Sequence, residues 1–343
     1  MAKPTLKIIA EQAGVSVTLV SLVLNNKPTR VSEITRQRIF AVAKENNYVP
    51  NKLASALKSK RSHILGIVVP YTPFGFFSEL IYYVEQSAWA RGYSAITINT
   101  FNDSQKEFES LRLYQSGLFD GMLIASLSET SEAKGNYQDM LNARFPFVFV
   151  DRYAKGISVP IVSSDHFQIA YSMTSQILKK KHPRNILFLN REGQPLNTTL
   201  ILRREGYRKA MIDAHLMPWE VSFSLRGGEH KADTTLTEVL DNLKEEPEAI
   251  FLYSGFYMPY LLKSLDASRF RDCTPEFLTV DGFSVTQDLV VQKGVLDCVA
   301  NHLLFTIQDT QQIAERAVET LVMQIEKGEK VSVPYIPAMS FWR

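Results

Sequence analysis

The sequence predicts an α/β protein: a small helical head followed by a core of two doubly wound lobes. Three observations carry this reading. Residues 1–62 hold 11 Lys and Arg against three Glu, while the remaining chain holds 27 basic and 33 acidic residues. The overall charge of +2 therefore conceals a basic head on an acidic body. Within the head, apolar residues recur at helical spacing between turn residues. From residue 64 onward, short apolar runs alternate with amphipathic stretches, the texture of buried parallel strands joined by crossover helices. A chain of 343 residues with 45% hydrophobic content is long enough for such a division.

In the head, Leu6, Ile9, Ala10 and Ala13 line one helical face, and Gly14 is placed to end that helix. Ser16 is placed to cap a second helix, whose inner stripe is Val20, Val23 and Leu24. Val17, Thr18, Ser21 and Leu22 fall on its other side. Asn25-Asn26-Lys27-Pro28 breaks the chain, and Ser32 caps a third helix with Ile39, Val42 and Ala43 inward. Two short helices joined through Gly14-Val15-Ser16, with a third behind, form a helix-turn-helix unit. Its positive charge suits a polyanion partner.

In the body, strands are expected at 64–69, 94–99, 121–125, 147–151, 185–190, 221–225, 249–253 and 277–281. Helices are expected at 78–91, 106–116, 167–180, 203–215, 234–243 and 257–266, with a last strand in 331–341. Two similar halves with a ligand cleft at the carboxyl ends of their strands is the expected arrangement.

The sequence offers no sign of catalysis. It contains no G-x-S-x-G, Walker A, G-x-G-x-x-G or H-E-x-x-H motif. The six histidines form no ligand-spaced pair, and Cys273 and Cys298 have no C-x-x-C partner, so neither metal nor cofactor is expected. Two cysteines make no disulfide framework, and the first residues show no apolar leader, so a cytoplasmic protein without a membrane span is expected.

The residues just described resemble the lactose-repressor (LacI/GalR) family of bacterial transcription regulators. The match runs through Thr5-Leu6-Lys7-Ile8-Ile9-Ala10-Glu11-Gln12-Ala13-Gly14-Val15-Ser16, Val20-Ser21, Val23-Leu24-Asn25, Val31-Ser32, Thr35-Arg36 and Tyr48-Val49-Pro50-Asn51. It continues in Gly66-Ile67-Val68-Val69-Pro70, Phe76-Phe77-Ser78-Glu79-Leu80, Arg91-Gly92-Tyr93, Asp120-Gly121, Val150-Asp151-Arg152, Gly206-Tyr207 and Gly282-Phe283. The resemblance implies a head over 1–48, a hinge over 49–62 and a core over 63–343. Within the core it implies one lobe of about 63–160 plus 297–327 and another of 161–296 plus 328–343.

It further implies a sequence-specific repressor of double-stranded operator DNA, working as a homodimer under a sugar-like or phosphorylated-sugar effector. A protein co-regulator such as a phosphocarrier is the alternative. Thr5, Ser16, Ser21 and Asn25 would bond phosphates, and Val17 and Thr18 would face base edges. Leu22 stands where relatives carry arginine, so readout there would be apolar. Asn51, Ala54 and Leu57 match the hinge, with Leu57 as a minor-groove wedge. In the cleft, Arg203 matches the arginine that grips effector oxygens, and Phe76, Phe77, Asp151 and Asp165 match further lining positions. Ser254 and Ser284 stand at polar positions of the family, and Phe74 replaces a small polar residue. Asp281, three residues before Ser284, would point away from the cleft on an undisturbed strand.

Overall fold

A computed structural model describes residues 4–24, 28–48, 61–70, 75–127, 131–191, 197–223, 232–281, 302–328 and 332–342. The chain forms two compact units, Met1–Ser62 and His63–Arg343.

The first unit contains helices α1 (Leu6–Ala13), α2 (Val17–Leu24) and α3 (Glu33–Glu45). Each begins where a side chain can satisfy a free amide. Thr5 Oγ1 accepts from Ile8 N–H, Ser16 Oγ from Leu19 N–H, and Ser32 Oγ from Thr35 N–H. Gly14 ends α1 at φ 67°, a left-handed conformation that glycine adopts without a Cβ clash. Ile9, Ala13, Val20, Val23, Ile39 and Ala43 are buried together, so three short helices share one core.

The second unit contains two sheets. The first has the order β2-β1-β3-β4-β5, all parallel, from β1 (Ile64–Val69), β2 (Ser94–Asn99), β3 (Gly121–Ile124), β4 (Phe147–Val150) and β5 (Ile161–Val162). The second has the order β11-β10-β9-β8-β6-β7, from β6 (Ile186–Arg191), β7 (Trp219–Phe223), β8 (Ala249–Leu252), β9 (Glu276–Val280), β10 (Leu303–Gln308) and β11 (Ala338–Trp342). Among the described strands of this sheet, β11 alone runs antiparallel.

Alternate residues of each strand serve opposite faces. Leu65, Ile67 and Val148 pack with α4 (Phe76–Ala90) and α11 (Thr310–Lys327), whereas Val68, Met122 and Phe149 pack with α5 (Ser104–Arg112) and α6 (Ser131–Asn142). In the second sheet, Ile186 and Phe188 face α7 (His166–Lys181) and α8 (Thr198–Asp213). Leu187 and Leu189 face α9 (Ala232–Asp241) and α10 (Met258–Ala267). Gly206 lets α8 lie directly on α7, because a Cβ there would stand 2.2 Å from the Phe167 carbonyl oxygen.

Strand pairing moves two lobe boundaries from their expected positions. Residues 161–162 pair with β4 and belong to the first sheet, while 303–308 pair with β9 and belong to the second. The chain therefore returns to the first lobe only with α11, whose Thr310 Oγ1 donates to Glu79 on α4 at 3.1 Å.

Candidate DNA-contacting surface and ligand cleft

On the head, Val17 and Thr18 open α2 and are exposed, Val17 at 43%. Thr5 and Ser16 are exposed cap residues, and Ser21 and Leu22 are half-buried. This leaves the α2 N-terminus free on one side while Val20 and Val23 anchor the other. Asn25, Asn51, Ala54 and Leu57 lie outside the described residues, as do Phe74 and Ser284 in the body.

In the body, the cleft is set by what happens where strands end. Asp151 follows β4 at φ 61° and Asp281 follows β9 at φ 64°. A left-handed residue turns the chain out of its strand, and aspartate tolerates that conformation better than most side chains. Both turns are pinned: Asp151 N–H donates to the Val162 carbonyl at 3.0 Å, and Asp281 N–H to the Thr306 carbonyl at 2.7 Å. The expectation that Asp281 would point away is corrected by this turn. Its carboxylate lies 3.6 Å from the Arg203 guanidinium and accepts from Gln308 Nε2 at 3.0 Å.

Arg203 is 5% exposed, and its donors are already engaged. Nη1 donates to the Tyr253 carbonyl at 2.8 Å, while Nε and Nη2 point at His166 Nδ1 at 3.3 and 3.2 Å. An arginine can only donate, so His166 Nδ1 is the acceptor and the imidazole proton sits on Nε2. That proton is donated to Asp151 Oδ1 at 2.9 Å. A continuous chain thus runs from Asp151 on the first lobe through His166 and Arg203 to Asp281 on the second.

His166, Asp151 and Asp281 are electrostatically shifted. Burial, then the Arg203 charge, pushes the His166 pKa down, so the ring is neutral. Burial alone would raise Asp151, but the His166 hydrogen bond and the charges of Arg152 and Arg203 outweigh it, leaving the carboxyl below its usual value. At Asp281 burial prevails over Arg203 and Gln308 and the pKa is raised.

The other cleft candidates take varied places. Phe76 and Phe77 are half-buried, edge-to-face at 5.2 Å, and the Arg152 guanidinium sits 5.1 Å over Phe77. Asp165 caps α7, accepting from Gln168 N–H at 2.9 Å. Ser254 precedes the short 3-10 turn Gly255–Tyr257 without capping it by its side chain. Sequence reasoning passed over His166, although it follows a helix-capping aspartate, and Arg191, although it stands with Asn190 at the end of an apolar run.

Fold and site together define a class: a DNA-binding helix-turn-helix head joined to a two-lobed ligand-binding core. Residues 5–51 match the bacterial regulatory proteins of the lacI family. Residues 62–254 match the periplasmic binding proteins and sugar binding domain of the LacI family. A sucrose operon repressor of Lactococcus lactis subsp. lactis is 31% identical over 334 residues, 96% of each chain. The lac repressor dimer bound to operator and the anti-inducer ONPF superposes with a TM-score of 0.78 at 17% identity over 98% of each chain. The Cra regulator of Pseudomonas putida in complex with fructose 1-phosphate gives 0.67 at 18% identity, over 82% of this chain and 98% of that one. The chain belongs to the LacI family of bacterial transcription regulators: it is a DNA-binding repressor and not an enzyme.

Proposed function

We propose that the protein acts in the cytoplasm as a homodimer whose affinity for a roughly palindromic operator is set by a sugar-like or phosphorylated-sugar ligand in the body. The Asp151–His166–Arg203–Asp281 chain carries this reading, because it bonds the facing strand ends of both lobes to one another. A ligand that inserts its own oxygens there changes how the lobes are held, and its differential affinity for the two arrangements is the coupling energy. Thr5, Ser16, Ser21 and Asn25 act on phosphates, Val17, Thr18 and Leu22 on base edges, and Asn51, Ala54 and Leu57 on the minor groove. Phe74, Phe76, Phe77, Asp151, Asp165, Arg203, Ser254 and Ser284 surround the ligand. Support for a sugar-like effector comes from relatives that include a sucrose operon repressor and a regulator in complex with fructose 1-phosphate.

The test is operator affinity of the full chain with and without sucrose, fructose and fructose 1-phosphate. A change of about tenfold, equivalent to about 1.4 kcal/mol of coupling, supports the reading. A second reading, control by a phosphocarrier protein, is favoured by a groove of about 490 Å³ between α4 and α11, whose lining includes Tyr82, Tyr83, Arg91 and Glu315. Tyr82 is 57% exposed beside it. Affinity that answers only to an added phosphocarrier would select that reading.

A further inference from the structure

His166 opens α7 directly after residues 163–165, by which the chain leaves the first sheet. That crossover is held to another one, with Ile336 N–H donating to the Ser163 carbonyl at 2.9 Å. The His166 side chain is 1% exposed, and its two nitrogens face different lobes and different chemistry. Nε2–H reaches Asp151 on the first lobe at 2.9 Å, while the Nδ1 lone pair accepts from Nε and Nη2 of Arg203 at 3.3 and 3.2 Å. Around the ring stand Asp151 and Arg152 after β4, Arg203 on α8, Tyr253 after β8 and Asp281 after β9. Tyr253 presents its carbonyl to Arg203, and burial keeps its hydroxyl protonated. Asp165, the neighbour on α7, is committed to the Gln168 amide.

Nδ1 has one lone pair, and a proton competes with Arg203 for it. An imidazolium donates from both nitrogens. Protonated at Nδ1, His166 keeps its bond to Asp151 as an ion pair but sets a donor and a positive charge against the Arg203 fork. The fork has another acceptor close by, the Asp281 carboxylate, 3.6 Å from Nη2. Asp281 also accepts from Gln308 Nε2 at 3.0 Å. Gln308 stands just before Thr310, which begins α11 and donates to Glu79 on the first lobe. A fork that moves from His166 to Asp281 therefore acts at the foot of the crossover that carries the chain back to the first lobe.

We propose that His166 is a positioning residue for Arg203, and that a proton taken up at Nδ1 turns the fork over to Asp281 and so shifts the operator affinity of the repressor. This rests on the reading of the cleft as the site that sets operator affinity, and it makes the proton a second effector there. Burial and the Arg203 charge hold that proton off until the pH falls below 6.5. The head contributes no imidazole of its own, since His63 is the first histidine in the chain.

A duplex that the full-length protein selects from a random library serves as the operator. Affinity for it is measured from about pH 7.5 to about pH 5, at constant ionic strength and well below the body's thermal transition. The unsubstituted protein is compared with His166→Gln, in which the amide can donate to Asp151 and accept from Arg203 but does not titrate. The protein is expected to change affinity by about tenfold over this range, and the variant to lose that dependence whatever its affinity at the start. Arg203→Gln removes the competing fork instead of the proton acceptor; it is expected to lose the dependence too, and it stands in if His166→Gln does not fold. The imidazole nitrogen spectrum of histidine-labelled protein, with His166 identified by its loss in His166→Gln, follows the proton itself. Protonation of Nδ1 in step with the affinity change supports the proposal. A His166 that stays neutral throughout the folded range, or one that titrates with affinity unmoved, overturns it, as does a pH response that His166→Gln retains in full. Affinity that answers to sucrose, fructose or fructose 1-phosphate but not to protons through His166 overturns the proposal and leaves the reading of the cleft intact. Affinity that answers to neither, while His166 titrates, overturns that reading as well.

Discussion

In the head, Lys7, Arg30, Arg38 and Lys44 are exposed, whereas in the body Asp151, His166 and Arg203 are buried against one another. The difference separates two ways of using charge. Exposed charges act as a sum: each is screened and individually weak, but together they attract a polyanion. Buried charges act singly, through geometry, since each must find its own partner or become very costly. Ionic strength therefore breaks the comparison most visibly. Operator binding by two heads with six to ten phosphate contacts should fall by about 10³–10⁵ between 50 and 200 mM salt. Ligand binding in the body should change far less over the same range. Parallel titrations check this, and equal salt slopes would mean that the cleft is as solvated as the head.

The next largest effect is expected from Arg203→Ala. It leaves the buried His166 Nδ1 without its donor and the half-buried Asp281 without its cation. Removing one partner from such a network costs about 3–5 kcal/mol. Chemical unfolding should show that loss in the body transition and none in the helices of the head. A loss below about 1 kcal/mol, the size typical of exposed ion pairs, would place Arg203 in the same class as the head's charges.

What the sequence made legible follows the same division. The caps Thr5, Ser16 and Ser32 lie one turn from the amides they satisfy, so the head could be read from neighbours in sequence. The strand and helix alternation was plain for most of the body, since buried strands are continuous apolar runs, but β5, β10 and α11 were not foreseen. Helix α6 was missed because Ser131–Asn142 is polar and interrupted by Gly135, with Tyr137 and Met140 as its buried anchors. The start of α8 was placed at 203 rather than Thr198, because its cap, Asn197, follows no apolar rhythm. The site itself was least legible. Asp151, His166, Arg203 and Asp281 meet only because the ends of β4 and β9 face the helices α7 and α8 that carry His166 and Arg203. The turn that aims Asp281 depends on Thr306, a partner strand away.

Acidification should separate the regions next. The His166 pKa is lowered in the folded protein, first by burial and then by Arg203. The unfolded chain takes up this proton near pH 6.5 and the folded chain does not. The associated stability is present above pH 6.5 and is lost progressively as the pH falls below it. The body's thermal transition should decline between about pH 7.5 and 5.5. His166→Gln, which can still donate to Asp151 and accept from Arg203, should flatten that decline. Asp151 adds a loss of the same sign at lower pH, where its depressed carboxyl is finally protonated. Asp281, raised by burial, works in the opposite sense within the carboxylate range. An unchanged slope in His166→Gln would assign the pH response elsewhere.

The smallest effect, and the sharpest probe of the head, is Ser16→Ala. Ser16 Oγ accepts from Leu19 N–H at 3.2 Å at the exposed start of α2. Losing such a cap costs about 1 kcal/mol, and water can partly replace an exposed one. The folding cost should therefore be modest, because Val20 and Val23 still hold α2 in the core. If the same hydroxyl also bonds an operator phosphate, DNA affinity should fall by more than the folding loss explains, and equally for all operator sequences, since a phosphate contact reads no base. Ser16→Asp separates the two roles, because aspartate caps a helix well but sets a negative charge against the phosphate. Stability near that of the unmodified protein with weakened DNA binding is the expected outcome for Ser16→Asp. Binding that tracks stability in both variants would reduce Ser16 to a cap.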